Sequence, residues 1–208
     1  YVEEKSIMYL MARAAKQAGT PAIRTSSIRD VIAIKEETGL PVIGLVKVQY
    51  PGYEGFITPT MKEVDDLVAA GSDIVALDCT LRKRGDGSTV NEFIAQIREK
   101  YPDIILMADI SNYEEGINAW KCGVDIVGTT MSGYTAYTSS VSDGPDYELM
   151  ERLSRDINIP VIGEGRIHYP DQAVKALQTG AWAIVVGGAI TRPLEIAMRF
   201  QNAIKESR

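Results

Sequence analysis

The chain alternates short apolar segments with longer amphipathic ones. The apolar segments are rich in Val, Ile and Leu, as are strands that are buried on both faces. They lie at residues 21–24, 42–47, 73–78, 104–109, 125–130, 160–165 and 183–188. They recur roughly every 20 to 35 residues, and such regular alternation predicts an α/β fold in which helices cover a parallel sheet.

The segments between the predicted strands carry helical periodicity and helix-end signals. Four apolar residues early in the chain fall on one stripe, typical of a helix with one buried face: Ile28, Val31, Ile32 and Ile34. Five predicted helices end at a glycine, which readily adopts the left-handed conformation of a helix C-terminus: Gly19, Gly39, Gly71, Gly123 and Gly180. Thr58-Pro59 and Arg192-Pro193 predict helix starts. Trp120 and Trp182 are predicted to lie in the core.

The residues at the carboxyl ends of the predicted strands distinguish an open sheet from a closed barrel. Six of the seven ends are polar, and in chain order they are Arg24, Lys47, Asp78, Asp109, Thr129, Glu164 and the apolar exception Gly187. An open sheet concentrates its ligand contacts at one switch point, whereas a barrel gathers every strand end at one mouth. The pattern therefore predicts an α/β (β/α)8 TIM barrel.

One strand of such a barrel is missing from the pattern. A closed barrel of this class has eight strands, and residues 3–19 have the pattern of a first helix rather than a first strand. We expect the first strand to precede Tyr1. Residues 1–208 are otherwise predicted to form a single barrel domain, since nothing in them resembles a linker.

Composition excludes several classes of function. The net charge of −6 and the pI near 5.0 argue against nucleic acid or an anionic membrane as partner. No apolar run approaches the roughly 20 residues that span a bilayer. Cys79 and Cys122 have no metal-site or disulfide spacing, and the single His168 makes a histidine metal site or a Ser-His-Asp triad improbable. We predict a cytoplasmic protein that needs no metal and no cofactor.

The last two strands are followed by glycine-rich loops that suggest a phosphate site. Gly163 and Gly165 follow one strand and Gly187 and Gly188 the next, so the backbone could approach an anion closely. Arg192 could add a charged contact beside the final helix. The alternative is that these glycines only satisfy tight turns. Arg166 and His168 lie in the first of these loops and are read mainly as solvated rim.

The predicted mouth carries acid–base groups. The apolar run "LPVIGLVKVQY" at residues 40–50 ends in Lys47, a residue that must reach solvent, pair with a carboxylate or take part in chemistry. Together with Glu164 and a phosphate site, it suits removal of a proton beside a carbonyl group of a phosphorylated small molecule.

The sequence resembles the N-acetylmannosamine-6-phosphate 2-epimerases along essentially its whole length. The most specific segments are "VIGLVKVQY" (42–50), "FITPTMKEVD" (56–65), "ALDCTLRKR" (76–84), "LMADIS" (106–111), "VGTTMSGYT" (127–135), "GEGRI" (163–167) and "VVGGAITRP" (185–193). The resemblance implies a (β/α)8 barrel that interconverts N-acetylmannosamine 6-phosphate and N-acetylglucosamine 6-phosphate in amino-sugar and sialic acid catabolism. We also expect a homodimer.

The resemblance also assigns roles to residues. It implies that Lys47 is the catalytic lysine and Glu164 the catalytic carboxylate. The positions that it matches to substrate contacts are Arg24, Asp109 and Arg192, with Thr130, Tyr134 and Thr135 in a further mouth loop. Two alternatives stay open: a Schiff-base aldolase acting on another phosphosugar, and a barrel that binds sugar phosphates without catalysis.

Overall fold

A computed structural model describes residues 6–139 and 144–207. The strands are β1 (Ile23–Ser26), β2 (Val42–Leu45), β3 (Ile74–Asp78), β4 (Ile105–Asp109), β5 (Ile126–Gly128), β6 (Val161–Glu164) and β7 (Ala183–Val185). The helices are α1 (Met8–Gln17), α2 (Ile28–Thr38), α3 (Met61–Ala69), α4 (Val90–Lys100), α5 (Tyr113–Lys121), α6 (Tyr147–Asp156), α7 (Pro170–Gln178), α8 (Gly188–Thr191) and α9 (Pro193–Glu206). The predicted helix over 3–19 is present from Met8, and its residues 3–5 lie outside the described part.

The seven strands form one sheet in which chain order and spatial order are the same. Every neighbouring pair is parallel, and the register aligns strand ends such as Asp78 with Asp109. The sheet curls so strongly that Arg24 of β1 contacts Asp109 of β4 across its concave face. This is the architecture of a (β/α)8 barrel, as predicted. In the described residues β1 and β7 are hydrogen-bonded to one strand each.

Two apolar clusters follow the alternation of side chains along the strands. One lies inside the curled sheet and includes Ile43, Leu45, Ala76, Met107, Ile126 and Ile162. The other lies between the sheet and the helices and includes Val42, Val75, Leu77, Leu106, Val127 and Val161. Lys47, Asp109 and Glu164 share the two-residue spacing of the inner set, so the sequence directs these polar side chains towards the mouth of the barrel.

Most of the helix-end predictions are confirmed. The five glycines predicted to end helices all have positive φ, between 63° and 97°. Pro193 is the first residue of α9. The start of α3 differs from the prediction, because the carboxylate of Glu63 accepts the Thr60 N–H at 3.0 Å and Thr60 occupies the cap. Thr58 lies before the helix and has a different role, described below.

Two predictions of burial are wrong. The side chain of Trp182 is 71% exposed, because it precedes β7, which has only β6 as a described neighbour. Ile32 is also exposed, while Val31 and Ile34 on the same helix are buried. Trp120 packs against the outer cluster as predicted. Of the helices in residues 6–139 and 144–207, none combines the length and apolar character needed to cross a membrane.

Candidate active site

Three charged side chains from three strands meet inside the mouth of the barrel. Arg24 Nη2 lies 2.6 Å from Asp109 Oδ2, and Arg24 Nε lies 3.2 Å from Glu164 Oε2. Arg24 Nη1 also lies 3.3 Å from the sulfur of Met107. Burial lowers the pKa of Arg24, but the two carboxylates raise it above its ordinary value. The guanidinium therefore stays charged and fixes the ends of β1, β4 and β6 relative to one another.

Asp109 is fully buried, and protein groups use both of its oxygens. Its Oδ2 accepts from Arg24, and its Oδ1 accepts from the Thr130 hydroxyl at 2.7 Å. Its side chain is inaccessible to solvent. This geometry suits a residue that orients Arg24 and Thr130, while the sequence-based assignment of Asp109 and Arg24 to direct substrate contact stays a prediction.

Glu164 is less completely satisfied than Asp109. Its Oε2 accepts no hydrogen bond from the described residues, although it lies near Arg24. Burial raises its pKa to about 7, with Asp109 adding to the shift and with Arg24, Thr130 and Lys47 opposing it. A carboxyl group with this pKa exchanges protons near neutral pH, as a general acid or base must.

Lys47 lies beyond the end of β2, on a short antiparallel hairpin. It pairs with Ile57, and the neighbouring Val48 N–H donates to the Phe56 carbonyl at 3.0 Å. Lys47 is exposed at the mouth. The positive charge of Lys47 opposes the rise in the pKa of Glu164 and is the smallest of the named contributions. Lys47 follows β2 and Glu164 ends β6, so both lie at carboxyl ends of strands on the mouth side of the barrel, and their catalytic roles stay a prediction.

Two of the polar strand ends are occupied by structural contacts. Asp78 forms an ion pair with Arg82 and accepts the N–H of Thr80 at 3.1 Å. The Thr129 hydroxyl accepts the N–H of Glu164 at 3.0 Å and donates to its carbonyl at 2.8 Å, joining β5 to β6. At the end of β5 it is therefore Thr130, rather than Thr129, that contacts the acidic cluster.

The glycines predicted to bind phosphate have different surroundings. A Cβ on Gly163 would lie 3.0 Å from Met150 of α6, so this glycine permits close packing of helix and strand. Gly165 has a φ of 108° and opens the loop after β6. Gly187 precedes α8, and Gly188 begins it. The phosphate contacts stay predictions, and the loops of Gly165 and Gly187 fit them better than Gly163 does.

Arg192 lies beside the second glycine loop. It precedes Pro193 at the start of α9, and its Nη1 lies 2.8 Å from Glu195 Oε1 on the exposed helix surface. Glu195 Oε2 would be 3.1 Å from a Cβ placed on Gly188. An anion bound by this loop would therefore have to compete with Glu195 for Arg192.

The remaining mouth residues form a separate group. Thr135 is buried, and its hydroxyl lies 2.6 Å from that of Thr138. Tyr134 is exposed, and the Arg166 guanidinium carbon lies 5.7 Å from the centre of its ring. A Cβ on Gly133 would lie only 1.7 Å from Arg166 Nη1. Substrate contacts by Thr130, Tyr134 and Thr135 stay predictions.

Three residues at or near the site were not assigned to it in the sequence analysis: Met107, Arg82 and Thr58. Met107 could have been recognised, because it lies two residues before Asp109 and must face the same side of the sheet. Arg82 and Thr58 could not, because their partners become neighbours only once the loops after β2 and β3 have folded.

Fold and site together define a (β/α)8-barrel protein with an acid–base cluster at its mouth. The chain belongs to the N-acetylmannosamine-6-phosphate epimerase family. Residues 8–206 match the family described as "Putative N-acetylmannosamine-6-phosphate epimerase". The resemblance seen in the sequence is therefore confirmed.

Individual relatives agree with this assignment. A protein of Caldanaerobacter subterraneus subsp. tengcongensis, described as "Putative N-acetylmannosamine-6-phosphate 2-epimerase", is 56% identical over 202 residues, which are 97% of this chain and 85% of the relative. A Clostridium perfringens protein with the same description is 50% identical over 199 residues, covering 96% of this chain and 89% of the relative.

Solved structures give the same picture. The N-acetylmannosamine-6-phosphate 2-epimerase from Clostridium perfringens superposes with a TM-score of 0.90 at 47% identity, covering 98% of this chain and 90% of that one. The thiamine phosphate pyrophosphorylase from Pyrococcus furiosus, with a TM-score of 0.60 at 21% identity, shares the fold.

Proposed function

We propose that this protein interconverts N-acetylmannosamine 6-phosphate and N-acetylglucosamine 6-phosphate in amino-sugar and sialic acid catabolism. The two sugars differ only in configuration at C2. The observation that carries the proposal is the buried Glu164 beside Arg24 and Asp109 at the barrel mouth, with its pKa raised to about 7 and with Lys47 following β2 at the same end of the barrel. The names of the close relatives point to the same reaction.

The reaction requires an acidic hydrogen at C2. That hydrogen is acidic only in the ring-opened sugar, where C2 lies beside the C1 aldehyde. In one direction the Glu164 carboxylate removes the C2 proton, and the bonding electrons form a C1–C2 double bond with negative charge on O1. The Lys47 ammonium then donates a proton to the opposite face of C2, and the C1 carbonyl is restored.

The reverse direction uses the same two groups in exchanged states. Neutral Lys47 removes the proton and protonated Glu164 returns one to the other face. Both starting states hold one transferable proton between the two side chains. Each turnover leaves the donor's proton on C2 of the product and the substrate's original C2 proton on the other group, so exchange with solvent has to restore the starting state.

Arg24 and Asp109 both influence the pKa of Glu164. The guanidinium lies beside Glu164 but directs its shortest contact, 2.6 Å, to Asp109. Burial and the second carboxylate therefore outweigh Arg24 in setting the pKa of Glu164 above its usual range. Thr130 donates to Asp109, which holds the second carboxylate in place.

The phosphate group would bind at the glycine loops after β6 and β7. Support comes from the positive φ of Gly165, the start of α8 at Gly188, and the cationic Arg192 beside it. Binding energy from a remote phosphate can orient the reacting carbon and so raise the rate as well as the affinity.

We further propose that the protein forms a homodimer and is cytoplasmic. Large apolar side chains are exposed on and near α9, including Leu194, Met198 and Phe200. Surfaces of this kind favour association. Cys79 and Cys122 are both free thiols, as is common in a reducing compartment.

The test is incubation of the protein with N-acetylmannosamine 6-phosphate in D₂O, followed by NMR. We expect N-acetylglucosamine 6-phosphate with deuterium at C2 from the first turnover. Absence of product, or product that retains the original C2 hydrogen, would overturn the proposed reaction. Sedimentation of the same preparation measures the oligomeric state.

A further inference from the structure

Lys47 is held by a hairpin rather than by a strand of the barrel. Residues 46–58, here called the lysine hairpin, leave the end of β2 and return to contact the last residues of β3. The Thr58 N–H donates to the Val46 carbonyl at 2.7 Å and closes the base of the hairpin. Lys47 and Ile57 form the next antiparallel pair. The position of the lysine therefore depends on how this base is anchored.

Thr58 anchors the base through its side chain. Its hydroxyl donates to the Ala76 carbonyl of β3 at 2.7 Å and accepts the N–H of Val46 at 3.2 Å. Thr58 is fully buried, and Val46 is the residue immediately before Lys47. One hydroxyl thus links the interior of the barrel to the peptide that precedes the lysine. The Ile57 carbonyl adds a second link, since it accepts the N–H of Asp78 at 2.9 Å.

The backbone of Thr58 is strained. Its φ is 47°, in the left-handed region that β-branched residues rarely adopt. Pro59 follows it, and a residue before proline favours extended backbone instead. Such conformations are unfavourable and persist where surrounding contacts impose them, commonly at functional sites. Glycine would adopt this φ readily but would supply no hydroxyl.

We propose that Thr58 is a positioning residue for Lys47. Its hydroxyl fixes the base of the lysine hairpin, so that the ammonium group is held where it can reach C2 of the sugar. The inference rests on the proposed catalytic role of Lys47. It goes further, because it assigns control of the proton-transfer rate to Thr58, a buried residue outside the substrate site.

Three variants of Thr58 separate its hydroxyl from its backbone. Thr58→Val keeps the β-branched shape without the hydroxyl, Thr58→Ser keeps the hydroxyl, and Thr58→Gly relieves the strained φ without restoring the hydroxyl. A displacement of about 1 Å can reduce a rate about 100-fold. We expect kcat of the Val and Gly variants to fall about 10- to 100-fold with KM within about threefold of wild type. The Ser variant should stay within about threefold in both constants.

Thr38→Val is the matched control for loss of a buried hydroxyl. The Thr38 hydroxyl donates to the Ile34 carbonyl at 2.7 Å and accepts the Leu40 N–H at 3.2 Å, at the opposite end of β2. This variant should melt at a lower temperature, as Thr58→Val should, but with unchanged kcat. Thermal melts of all variants identify an assay temperature at which every variant is folded, so that their kcat values can be compared.

The outcomes separate this inference from the proposed function. If wild type is active, Lys47→Ala is inactive, and the Val and Gly variants of Thr58 keep wild-type kcat while folded, the positioning role is wrong. If Thr38→Val loses kcat as much as Thr58→Val, the effect is one of stability, and the inference also fails. A fully active Lys47→Ala variant would remove the catalytic assignment itself.

Discussion

Arg24 of β1 reaches Glu164 of β6 across the barrel, with Nε 3.2 Å from Oε2. The same guanidinium makes its shorter contact, 2.6 Å, with Asp109. One cation is therefore shared unequally by two buried carboxylates. The less favoured carboxylate, Glu164, has an oxygen without a hydrogen bond from the described residues and the raised pKa. Because the contacts are unequal, Glu164 can exchange protons near neutral pH, whereas Asp109 serves to hold Arg24 in place.

Lys47→Ala and Glu164→Gln should each lower kcat by about 100- to 10,000-fold, since each removes one of the two groups that transfer the proton. Binding of the phosphorylated sugar should change little, because the proposed phosphate contacts come from glycine backbone N–H groups and Arg192, not from the side chains of Lys47 or Glu164. Turnover is followed by NMR and binding by calorimetry. Lys62→Ala is the control, because Lys62 is an exposed lysine paired with Asp66 on α3. Near-normal turnover of the Glu164 variant would contradict the two-base assignment and indicate that Lys47 is the single base.

The rate should depend on pH through Glu164. Below its pKa of about 7, Glu164 is protonated and cannot accept the C2 hydrogen. We expect kcat/KM to rise with pH through about 7 in both reaction directions. The ratio of the forward and reverse kcat/KM values stays constant, because the equilibrium between the two sugars fixes it. The residual activity of Glu164→Gln should not show this rise of kcat/KM near pH 7. A limb near pH 4.5 in the wild type would show that burial does not control this group.

The same pKa shift predicts a pH dependence of stability. Glu164 has its raised pKa only in the folded protein, so between about pH 4.5 and 7 the folded state binds more protons than the unfolded state. The free energy of unfolding of the wild type should therefore fall as pH rises through this window, relative to Glu164→Gln. Urea titrations at several pH values measure it.

Glu92→Gln provides a control of opposite sign for that experiment. Hydrogen bonds from Thr89 lower the pKa of Glu92, so its contribution to stability is present above the unfolded pKa and is lost as pH falls. Parallel pH curves for the wild type and Glu164→Gln would contradict the assignment of a raised pKa to Glu164.

Arg192→Ala should raise KM for the phosphorylated sugar about tenfold or more, because it removes a charged contact worth roughly 1.5 to 3 kcal/mol. Unphosphorylated N-acetylmannosamine should be turned over slowly by wild type and variant alike. Glu195→Ala is the matched control, since it breaks the same 2.8 Å ion pair while leaving the cation. Equal effects of the two substitutions would mean that Arg192 serves only to pair with Glu195.

Treatment with borohydride in the presence of substrate tests the aldolase alternative. A Schiff base at Lys47 would be reduced to a stable adduct, visible by mass spectrometry and accompanied by loss of activity. An epimerase that uses Lys47 for proton transfer forms no such bond, and we expect no substrate-dependent adduct. Borohydride without substrate is the control, and an adduct on Lys47 would favour the aldolase.

Much of the fold could be predicted because its signals are local. Each buried strand appears as a short apolar run, and the spacing of the runs reveals a parallel sheet. The strand ends could be predicted to converge because parallel strands end at one side of a sheet. Lys47 and Glu164 were accessible to sequence reasoning for this reason.

The rest of the site depends on contacts between residues that are distant in sequence. Thr58 looked like a helix cap, since its role comes from Ala76 and Val46 rather than from its neighbours. The raised pKa of Glu164 comes from burial and from Asp109 on another strand, which together outweigh the opposing charge of Arg24. Trp182 was misassigned because apolar character does not reveal that a strand lies at the edge of the described sheet.

Gly133, which lies beside Arg166, limits how this sequence can change. A side chain at position 133 would occupy the space of the guanidinium, and the φ of 79° there would be unfavourable for it as well. The end of the flexible Arg166 side chain can move aside, and a shorter residue at position 166 would make more room, but neither change alters the φ of 79°. The backbone conformation, rather than the space beside it, is therefore what keeps a glycine at position 133.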